Sequence, residues 1–195
     1  MLVTDDRVLE GRDPVDLAVR AVRGGVTSVQ LRLKQASARE LADLAIRLRR
    51  ALTVPVLVND RPDVAALAEC GVHLGPDDLP VELARRILPS GSIIGASVGT
   101  PAESERGAAA DFWGVGPWRV TGTKGDAGAA IGAEGFRKVV ALARGKPCIA
   151  IGAVRPEDVA EVLAAGGAGV AVVSGILSAD DPENAARAYF SYFSA

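Results

Sequence analysis

Short apolar runs alternate with longer amphipathic stretches along the whole chain. The runs are rich in β-branched residues and do not alternate between apolar and polar positions, which is typical of strands covered on both faces of a parallel sheet. The predicted strands are Met1–Thr4, Ser28–Arg32, Val54–Asn59, Gly71–Leu74, Ile93–Ser97, Phe112–Gly116, Cys148–Gly152 and Gly169–Val173. The pattern therefore predicts eight strands, each followed by a helix.

The stretches between the runs have the periodicity of helices that bury one face. In Ala38–Ala51, apolar side chains recur at the i, i+3, i+4 and i+7 positions counted from Leu41. Ser37 precedes this stretch as a capping residue, and Asp13-Pro14 provides a cap and a proline at the start of an earlier one. These signals predict helices over Ala38–Ala51 and Pro14–Val22.

Eight strand–helix units in one chain predict a closed (β/α)₈ TIM barrel, which is an α/β fold. The 195 residues allow about 24 residues per unit, which is small for this fold. An open doubly wound sheet is the alternative, but no glycine-rich phosphate loop follows the first strand. No linker or shift of composition marks a second domain, so we expect residues 1–195 to form a single barrel domain.

Composition narrows the classes of function. The chain is 49% hydrophobic and 24% charged, as expected for a globular protein with a full core. A net charge of -2 and an aromatic content of 4% argue against a nucleic-acid partner. No secretory signal pattern begins the chain and no apolar run could cross a bilayer, so we expect no membrane association and a cytoplasmic location.

Three other residue types are interpreted as structural. Cys70 and Cys148 lie in or beside apolar segments without a CxxC pattern, which favours buried thiols over a disulfide. His73 is the only histidine and lies inside a predicted strand, so it is interpreted as a core or rim residue rather than a catalytic base. For Trp118, packing is favoured over a role in the wall of a pocket.

A barrel places its chemistry just after each strand, and the second strand ends with two cations. Gln30, Arg32 and Lys34 occupy alternate positions, so their side chains point to the same side. Two cations on an inward face are costly without an anionic partner, which predicts an anion at this rim. The alternative is a strand end that becomes polar where it meets solvent.

Two aspartates follow the next two strands and predict a metal site. Asn59 and Asp60 end the third strand, and Asp78 lies in the loop after the fourth. Either group could simply cap a helix, but together near a phosphate site they favour Mg²⁺, which takes a few carboxylates, waters and phosphate oxygens.

The sixth strand ends at a Gly-Pro turn that leads to Thr121, Thr123 and Lys124. Two hydroxyls and a positive charge suit a phosphate or pyrophosphate, although an ordinary loop with a solvated lysine is equally compatible. These three residues are therefore further candidates for an anion site.

Small residues follow three other strands. Ser97 ends the fifth strand, Gly152 the seventh, and Ser174 and Gly175 follow the eighth. In many barrels the last two loops bind a phosphate through backbone N–H groups. The rim therefore offers two sites for anions: one with positively charged side chains and metal ligands, and one formed by uncharged backbone amides. This arrangement fits an enzyme that joins a pyrophosphorylated substrate to a monophosphorylated one.

Taken in order, these strand ends resemble those of the thiamine-phosphate synthase family, which also includes the thiazole tautomerases. The resemblance extends over nearly the whole chain. Its segments are Leu2-Val3-Thr4-Asp5, Gln30-Leu31-Arg32-Leu33-Lys34, Val58-Asn59-Asp60-Arg61, Gly71-Val72-His73-Leu74-Gly75 with Asp78, Gly95-Ala96-Ser97, Gly116-Pro117 with Thr121-Gly122-Thr123-Lys124, Ala150-Ile151-Gly152 and Ala171-Val172-Val173-Ser174.

The resemblance implies a transferase of thiamine biosynthesis. Such an enzyme couples hydroxymethylpyrimidine pyrophosphate to a thiazole phosphate and releases pyrophosphate. It further implies that the pyrophosphate is held by Arg32, Lys34, Asn59 and Lys124, and Mg²⁺ by Asp60 and Asp78. By the same resemblance, the pyrimidine and the departing group are contacted by Gln30 and Ser97, the thiazole lies near Thr121 and Thr123, and its phosphate is bound by Gly152 and Ser174.

Four positions depart from the family pattern. Leu33 stands where an acid is usual, so a salt bridge that could orient the neighbouring cations is expected to be missing. Pro76 replaces a glutamine, Ala153 replaces a glycine and could narrow the phosphate site, and Gly99 replaces the histidine that a tautomerase needs. The synthase is favoured, with a tautomerase-like enzyme and a catalytically silent barrel that binds thiazole or thiamine phosphate as alternatives. The sequence leaves open whether the chain forms a homo-oligomer.

Overall fold

The computed structural model describes residues 1–9, 11–120 and 129–193. Within these ranges, eight parallel strands pair in sequence order from β1 to β8. The strands are β1 (Leu2–Val3), β2 (Val29–Leu31), β3 (Val56–Asn59), β4 (Gly71–Leu74), β5 (Ile94–Ser97), β6 (Phe112–Val115), β7 (Cys148–Ile151) and β8 (Gly169–Ala171). All eight predicted strands are confirmed, most of them one or two residues shorter at their ends.

Helices follow the strands and cover the outside of the sheet. They are α1 (Asp6–Leu9), α2 (Pro14–Arg23), α3 (Ala38–Ala51), α4 (Pro62–Ala68), α5 (Val81–Ile87), α6 (Pro101–Arg106), α7 (Gly132–Leu142), α8 (Val159–Ala164), α9 (Ser174–Leu177) and α10 (Pro182–Phe190), with 3₁₀ turns at Pro156–Asp158 and Ser191–Phe193. Among the described helices, none combines the length and apolarity required to cross a bilayer.

Hydrogen bonds between the first and last strands close the sheet. The Val3 amide donates to the Val172 carbonyl at 2.9 Å, and the Val172 amide donates to the Met1 carbonyl at 3.0 Å. Leu2 and Val172 form the corresponding parallel bridge. Because β1 pairs with both β2 and the chain just after β8, the fold is the predicted (β/α)₈ barrel and not an open doubly wound sheet.

Local sequence explains where the helices begin. Ser37 and Glu40 form a capping box, in which the Ser37 hydroxyl accepts from the Glu40 amide and the Glu40 carboxylate accepts from the Ser37 amide. Asp13 accepts a hydrogen bond from the Val15 amide at the start of α2. The predicted helix over Ala38–Ala51 is confirmed at both ends.

The core is apolar on both sides of the barrel wall. Leu31 and Val58 are fully buried in neighbouring strands, and Leu48 of α3 is fully buried against the outside of the sheet. Cys70 and Cys148 are buried and not joined in a disulfide, as predicted. Burial on both faces is the physical reason why the strands are continuous apolar runs.

Candidate active site

The carboxyl ends of the parallel strands meet at one rim, where β2 and β3 bring two amides together. The strand register pairs Gln30 with Leu57 and Asn59 with His73. The Gln30 amide nitrogen donates to the Asn59 side-chain oxygen at 2.6 Å. This bond fixes the orientation of both amides, so the Asn59 amino group is left to face a ligand as a donor.

Arg32 lies beside these amides in an ion pair that the sequence analysis missed. Its guanidinium donates to the carboxylate of Asp5, and the exposed fractions of the two side chains are only 14% and 4%. Thr4 supports the pair, because its hydroxyl accepts from the Arg32 amide at 2.8 Å. The expectation that Leu33 leaves the cations without an orienting salt bridge is therefore wrong for Arg32. Asp5 directly follows β1, so the rule that chemistry follows the strands marks it as a rim residue, but that rule does not say which cation it pairs with.

Lys34 is held through its backbone and extends into solvent. Its amide donates to the Asp6 carboxylate at 2.6 Å, which ties the end of the β2 loop to the first residue of α1. The Lys34 side chain is exposed. A flexible, exposed ammonium group at this position can follow a mobile anion, whereas the half-buried Arg32 is fixed by its ion pair with Asp5.

Asp60 and Asp78 meet at the ends of β3 and β4, as predicted. The pKa of Asp60 is raised to about 6, mainly by burial, and also by a hydrogen bond with Asp78 and the negative charge of that group. Lys34 and Arg32 act in the opposite direction and lower the pKa of Asp60. The Asp78 carboxylate also accepts from the Gly75 amide at 2.6 Å, which fixes its position.

These two carboxylates fit a magnesium ion better than a metal that needs a complete protein cage. Within the described ranges, no group of three or more histidine, cysteine or acidic side chains could hold a metal. Two adjacent carboxylates that repel each other are stabilised by a divalent cation between them. Mg²⁺ commonly takes one or two protein carboxylates and completes its shell with water and substrate phosphate oxygens.

Ser97 lies at the end of β5 and bonds to a histidine inside the barrel. His73 Nε2 is 3.0 Å from the Ser97 hydroxyl oxygen. The His73 side chain is buried, and its ring lies against Phe112 with 5.6 Å between the ring centres. His73 is thus a residue of the barrel interior that orients Ser97, in agreement with its interpretation as a core or rim residue.

Gly152 lies where the loops after β6 and β7 meet. Its φ of +101° is in the region that L side chains rarely adopt, and an added Cβ would lie 2.6 Å from the Cβ of Pro117. The Trp118 amide donates to the Ile151 carbonyl at 2.8 Å, which joins the two loops. Only glycine fits here, so no side chain covers the half-buried backbone at this position.

Farther along the β6 loop, the structure leaves part of the candidate site undescribed. Thr121, Thr123 and Lys124 lie outside the described residues, and their predicted anion-binding roles stay predictions. Trp118 is buried and its ring packs edge-on against Phe136, with 5.6 Å between the ring centres, so its expected packing role is confirmed.

Ser174 and Gly175 are the first residues of α9 and are exposed at the rim after β8. A Cβ on Gly175 would lie 2.3 Å from the hydroxyl oxygen of Tyr189. That hydroxyl donates to the Val154 carbonyl at 3.0 Å. Gly175 is therefore required for the packing of Tyr189, in addition to its predicted place near a phosphate.

Together, the fold and the rim define a class of protein: a (β/α)₈ barrel enzyme with a charged, carboxylate-containing side and a glycine-lined side at its carboxyl rim. The particular family follows from comparison with known proteins. The family described as thiamine monophosphate synthase matches residues 1–176. The chain belongs to this family, which confirms the family expected from the strand ends and the transferase class of its members.

Individual relatives align with this chain over nearly their whole lengths. The chain is 48% identical to the thiamine-phosphate synthase of Xanthobacter autotrophicus, with 96% of this chain and 91% of that protein covered. It is 46% identical to that of Azorhizobium caulinodans, with 95% and 90% covered. Both relatives carry the synthase name, and thiamine-phosphate synthase, the function favoured from the sequence, is confirmed at this level.

Solved structures support the same assignment of fold. A thiamine phosphate pyrophosphorylase from Pyrococcus furiosus superposes with a TM-score of 0.84 at 35% identity and covers 97% of this chain and 93% of its own. A structure described as native KDPGal has a TM-score of 0.70 at 17% identity and covers 99% of this chain and 94% of its own. At that identity, the second similarity shows the barrel fold alone.

Proposed function

We propose that the rim couples hydroxymethylpyrimidine pyrophosphate to a thiazole phosphate, with the pyrophosphate held at the ends of β2–β4 and the thiazole phosphate at the ends of β7 and β8. The observation that carries this proposal is the position of Asp60, which bonds to Asp78 and interacts electrostatically with both Arg32 and Lys34. Two cations and a pair of carboxylates are the groups needed to bind a pyrophosphate together with Mg²⁺.

In the proposed reaction, the bond between the pyrimidine methylene carbon and the pyrophosphate oxygen breaks, and the thiazole nitrogen forms a bond to that carbon. Pyrophosphate leaves with the electron pair of the broken bond, and negative charge therefore grows on the leaving oxygen. Arg32 and Lys34 stabilise this charge in the transition state more than in the ground state, which accelerates the step.

Asp60 and Asp78 would hold the magnesium ion, which supplies positive charge to the pyrophosphate oxygens. Asp5 keeps Arg32 aimed at the rim, since the pair is nearly buried and cannot rotate freely into solvent. Gln30 and Asn59, joined by a hydrogen bond of 2.6 Å, offer polar groups to the pyrimidine and the leaving group.

On the other side, the backbone near Gly152 and the start of α9 would receive the thiazole phosphate. Gly152 allows a phosphate to approach because it has no side chain, and Ser174 contributes an exposed hydroxyl. Ser97, oriented by His73, lies between the two sides on β5. Thr121, Thr123 and Lys124 are proposed to complete the site, Lys124 at the pyrophosphate and the threonines near the thiazole.

The test is pyrophosphate release by the purified protein, with each substrate alone, with both, and with both plus EDTA. The proposal predicts release only when both substrates and Mg²⁺ are present, together with an equal amount of thiamine phosphate. Release that persists in EDTA, or turnover of the thiazole phosphate alone, would contradict the synthase mechanism.

A further inference from the structure

An ion pair joins the two loops that flank Gly152. Arg119 follows β6 by four residues and Asp158 ends the 3₁₀ turn after β7. The Arg119 guanidinium donates to the Asp158 carboxylate through Nε, at 3.0 Å, and through Nη2. This bidentate geometry is the strongest and most directional form of an arginine–carboxylate contact.

Burial of its carboxylate distinguishes the Arg119–Asp158 pair from most of the described ion pairs. The exposed fraction of the Asp158 side chain is only 4%, whereas that of Arg119 is 45%. The neighbouring Arg155 amide also donates to the Asp158 carboxylate, at 2.8 Å. Among the described residues, loss of Arg119 would leave the buried Asp158 carboxylate with the Arg155 amide as its one donor, which is strongly unfavourable.

Arg119 also contacts Gly152 directly through its backbone. The Arg119 amide donates to the Gly152 carbonyl at 3.0 Å. One residue thus fixes Gly152 with its backbone and binds Asp158, six residues farther along, with its side chain. A shift of Arg119 would move Gly152 with it.

The short segment 152–155 is consequently held at three points. The Gly152 carbonyl accepts from Arg119, the Val154 carbonyl accepts from Tyr189 at 3.0 Å, and the Arg155 amide donates to Asp158. Ala153 lies between these points and is exposed, with a φ of +49°. Three anchors around a segment in which both Gly152 and Ala153 have positive φ values indicate that its shape is imposed by the surroundings.

From this geometry we infer that Arg119 and Asp158 are a positioning pair, which holds the backbone at Gly152 in the shape that binds the phosphate of the thiazole substrate. The inference rests on the proposed function and adds two residues to it. Neither side chain needs to touch the reacting atoms. Their effect should fall mainly on affinity for one substrate, since the described part of the pyrophosphate side lies at the ends of β2–β4, and no described contact joins it to the pair.

The experiment compares the native protein with Arg119→Ala, Arg119→Lys and Asp158→Asn, and with Arg49→Ala as a control. Arg49 on α3 forms an exposed ion pair, at 2.7 Å, with Glu69 just after α4. Its loss should change the KM of neither substrate. We expect Arg119→Ala and Asp158→Asn to raise the KM for thiazole phosphate about 10-fold. The KM for the pyrimidine pyrophosphate and kcat should change less than about twofold.

Arg119→Lys should retain part of the affinity for thiazole phosphate that Arg119→Ala loses, because lysine keeps the charge but cannot donate two parallel hydrogen bonds. It also keeps the test decisive if Arg119→Ala fails to fold. Equal increases in both KM values, or no increase in either, would overturn the inference.

Amide hydrogen exchange of the same proteins without substrate tests the pair independently of activity. Exchange should accelerate in residues 152–155 of Arg119→Ala and stay unchanged in β2–β4. If the native protein forms no thiamine phosphate, the proposed function fails while this exchange result still decides whether the pair holds the segment. Unchanged exchange in residues 152–155 would contradict the positioning role.

Discussion

At the ends of β2–β4 the barrel mouth is made of charged side chains, whereas at the ends of β7 and β8 it is made of backbone. On the charged side, Arg32 is aimed by Asp5, and Asp60 lies against Asp78. On the backbone side, Gly152 presents only its backbone, because any side chain would collide with Pro117.

The difference matches the two proposed ligands. A pyrophosphate that gains charge as it leaves needs strong, directional positive charge that acts mainly in the transition state. The thiazole phosphate keeps its charge throughout and needs only to be positioned, which backbone amides in a fixed loop can do. The first side should therefore control kcat together with affinity for the pyrimidine pyrophosphate, and the second side should control affinity for the thiazole phosphate alone.

The largest effect should come from the carboxylate pair on the charged side. Asp60→Asn and Asp78→Asn each remove a proposed magnesium ligand, and we expect kcat to fall roughly 100-fold. Higher Mg²⁺ concentrations should restore part of the activity, because the remaining carboxylate can still bind the ion. Magnesium titrations of steady-state turnover provide the measurement.

Asp77 is the matched control for that series. It lies beside Asp78 in the same loop, but its side chain is exposed. Asp77→Asn should retain native turnover and the native magnesium dependence. A similar loss in all three variants would indicate a general effect of charge and not a specific metal site.

The next largest effect should come from Gly152→Ala on the backbone side. The methyl group would lie 2.6 Å from Pro117, on a residue with a φ of +101°. We expect a loss of stability of about 2 kcal/mol and a marked loss of affinity for thiazole phosphate. Chemical denaturation and substrate titrations measure these two effects.

Gly91→Ala separates backbone strain from crowding. Gly91 has a φ of +82° but has nothing within 4 Å of an added Cβ. This control should lose stability without any change in the affinity for thiazole phosphate. If Gly152→Ala binds that substrate as the native protein does, the backbone side is assigned incorrectly.

Asp5→Asn should have an intermediate effect on the charged side. Arg32 would keep its charge but lose the carboxylate that aims it, so kcat/KM for the pyrimidine pyrophosphate should fall about 10-fold. Asp16→Asn, an exposed change on α2, serves as the control. Native kinetics in Asp5→Asn would show that the orientation of Arg32 does not depend on this pair.

Ala153→Gly should have the smallest effect. Ala153 adopts a φ of +49°, which costs an alanine more than a glycine. Part of that gain is offset by the greater freedom of glycine in the unfolded chain, so we expect a net stabilisation of about 0.5 kcal/mol. The affinity for thiazole phosphate should stay within twofold, since the exposed Ala153 side chain does not fill the rim. A destabilised variant would contradict this account of the loop.

The fold could be predicted in detail because its signals are local. Most strand positions are apolar, as in residues 56–58 of β3, and the barrel topology places each strand end at one rim. This topology also predicted that Asp60 and Asp78 would meet, although they are far apart in the sequence.

The partners of the charged side chains could not be predicted in the same way. Arg32 pairs with Asp5, 27 residues away, and Arg119 pairs with Asp158, 39 residues away. Many acids in the sequence could satisfy either arginine, and only the barrel register selects one. For the same reason, the sequence indicated Gly175 as a phosphate contact but not its close approach to Tyr189.

The most direct test of the division between the two sides is calorimetric binding of each substrate alone to the native protein, Asp60→Asn and Gly152→Ala. In the presence of Mg²⁺, Asp60→Asn should lose affinity for the pyrimidine pyrophosphate and bind thiazole phosphate normally. Gly152→Ala should show the opposite pattern. If both variants lose both ligands equally, or if the pattern is reversed, the two sides of the rim do not bind the two substrates as proposed.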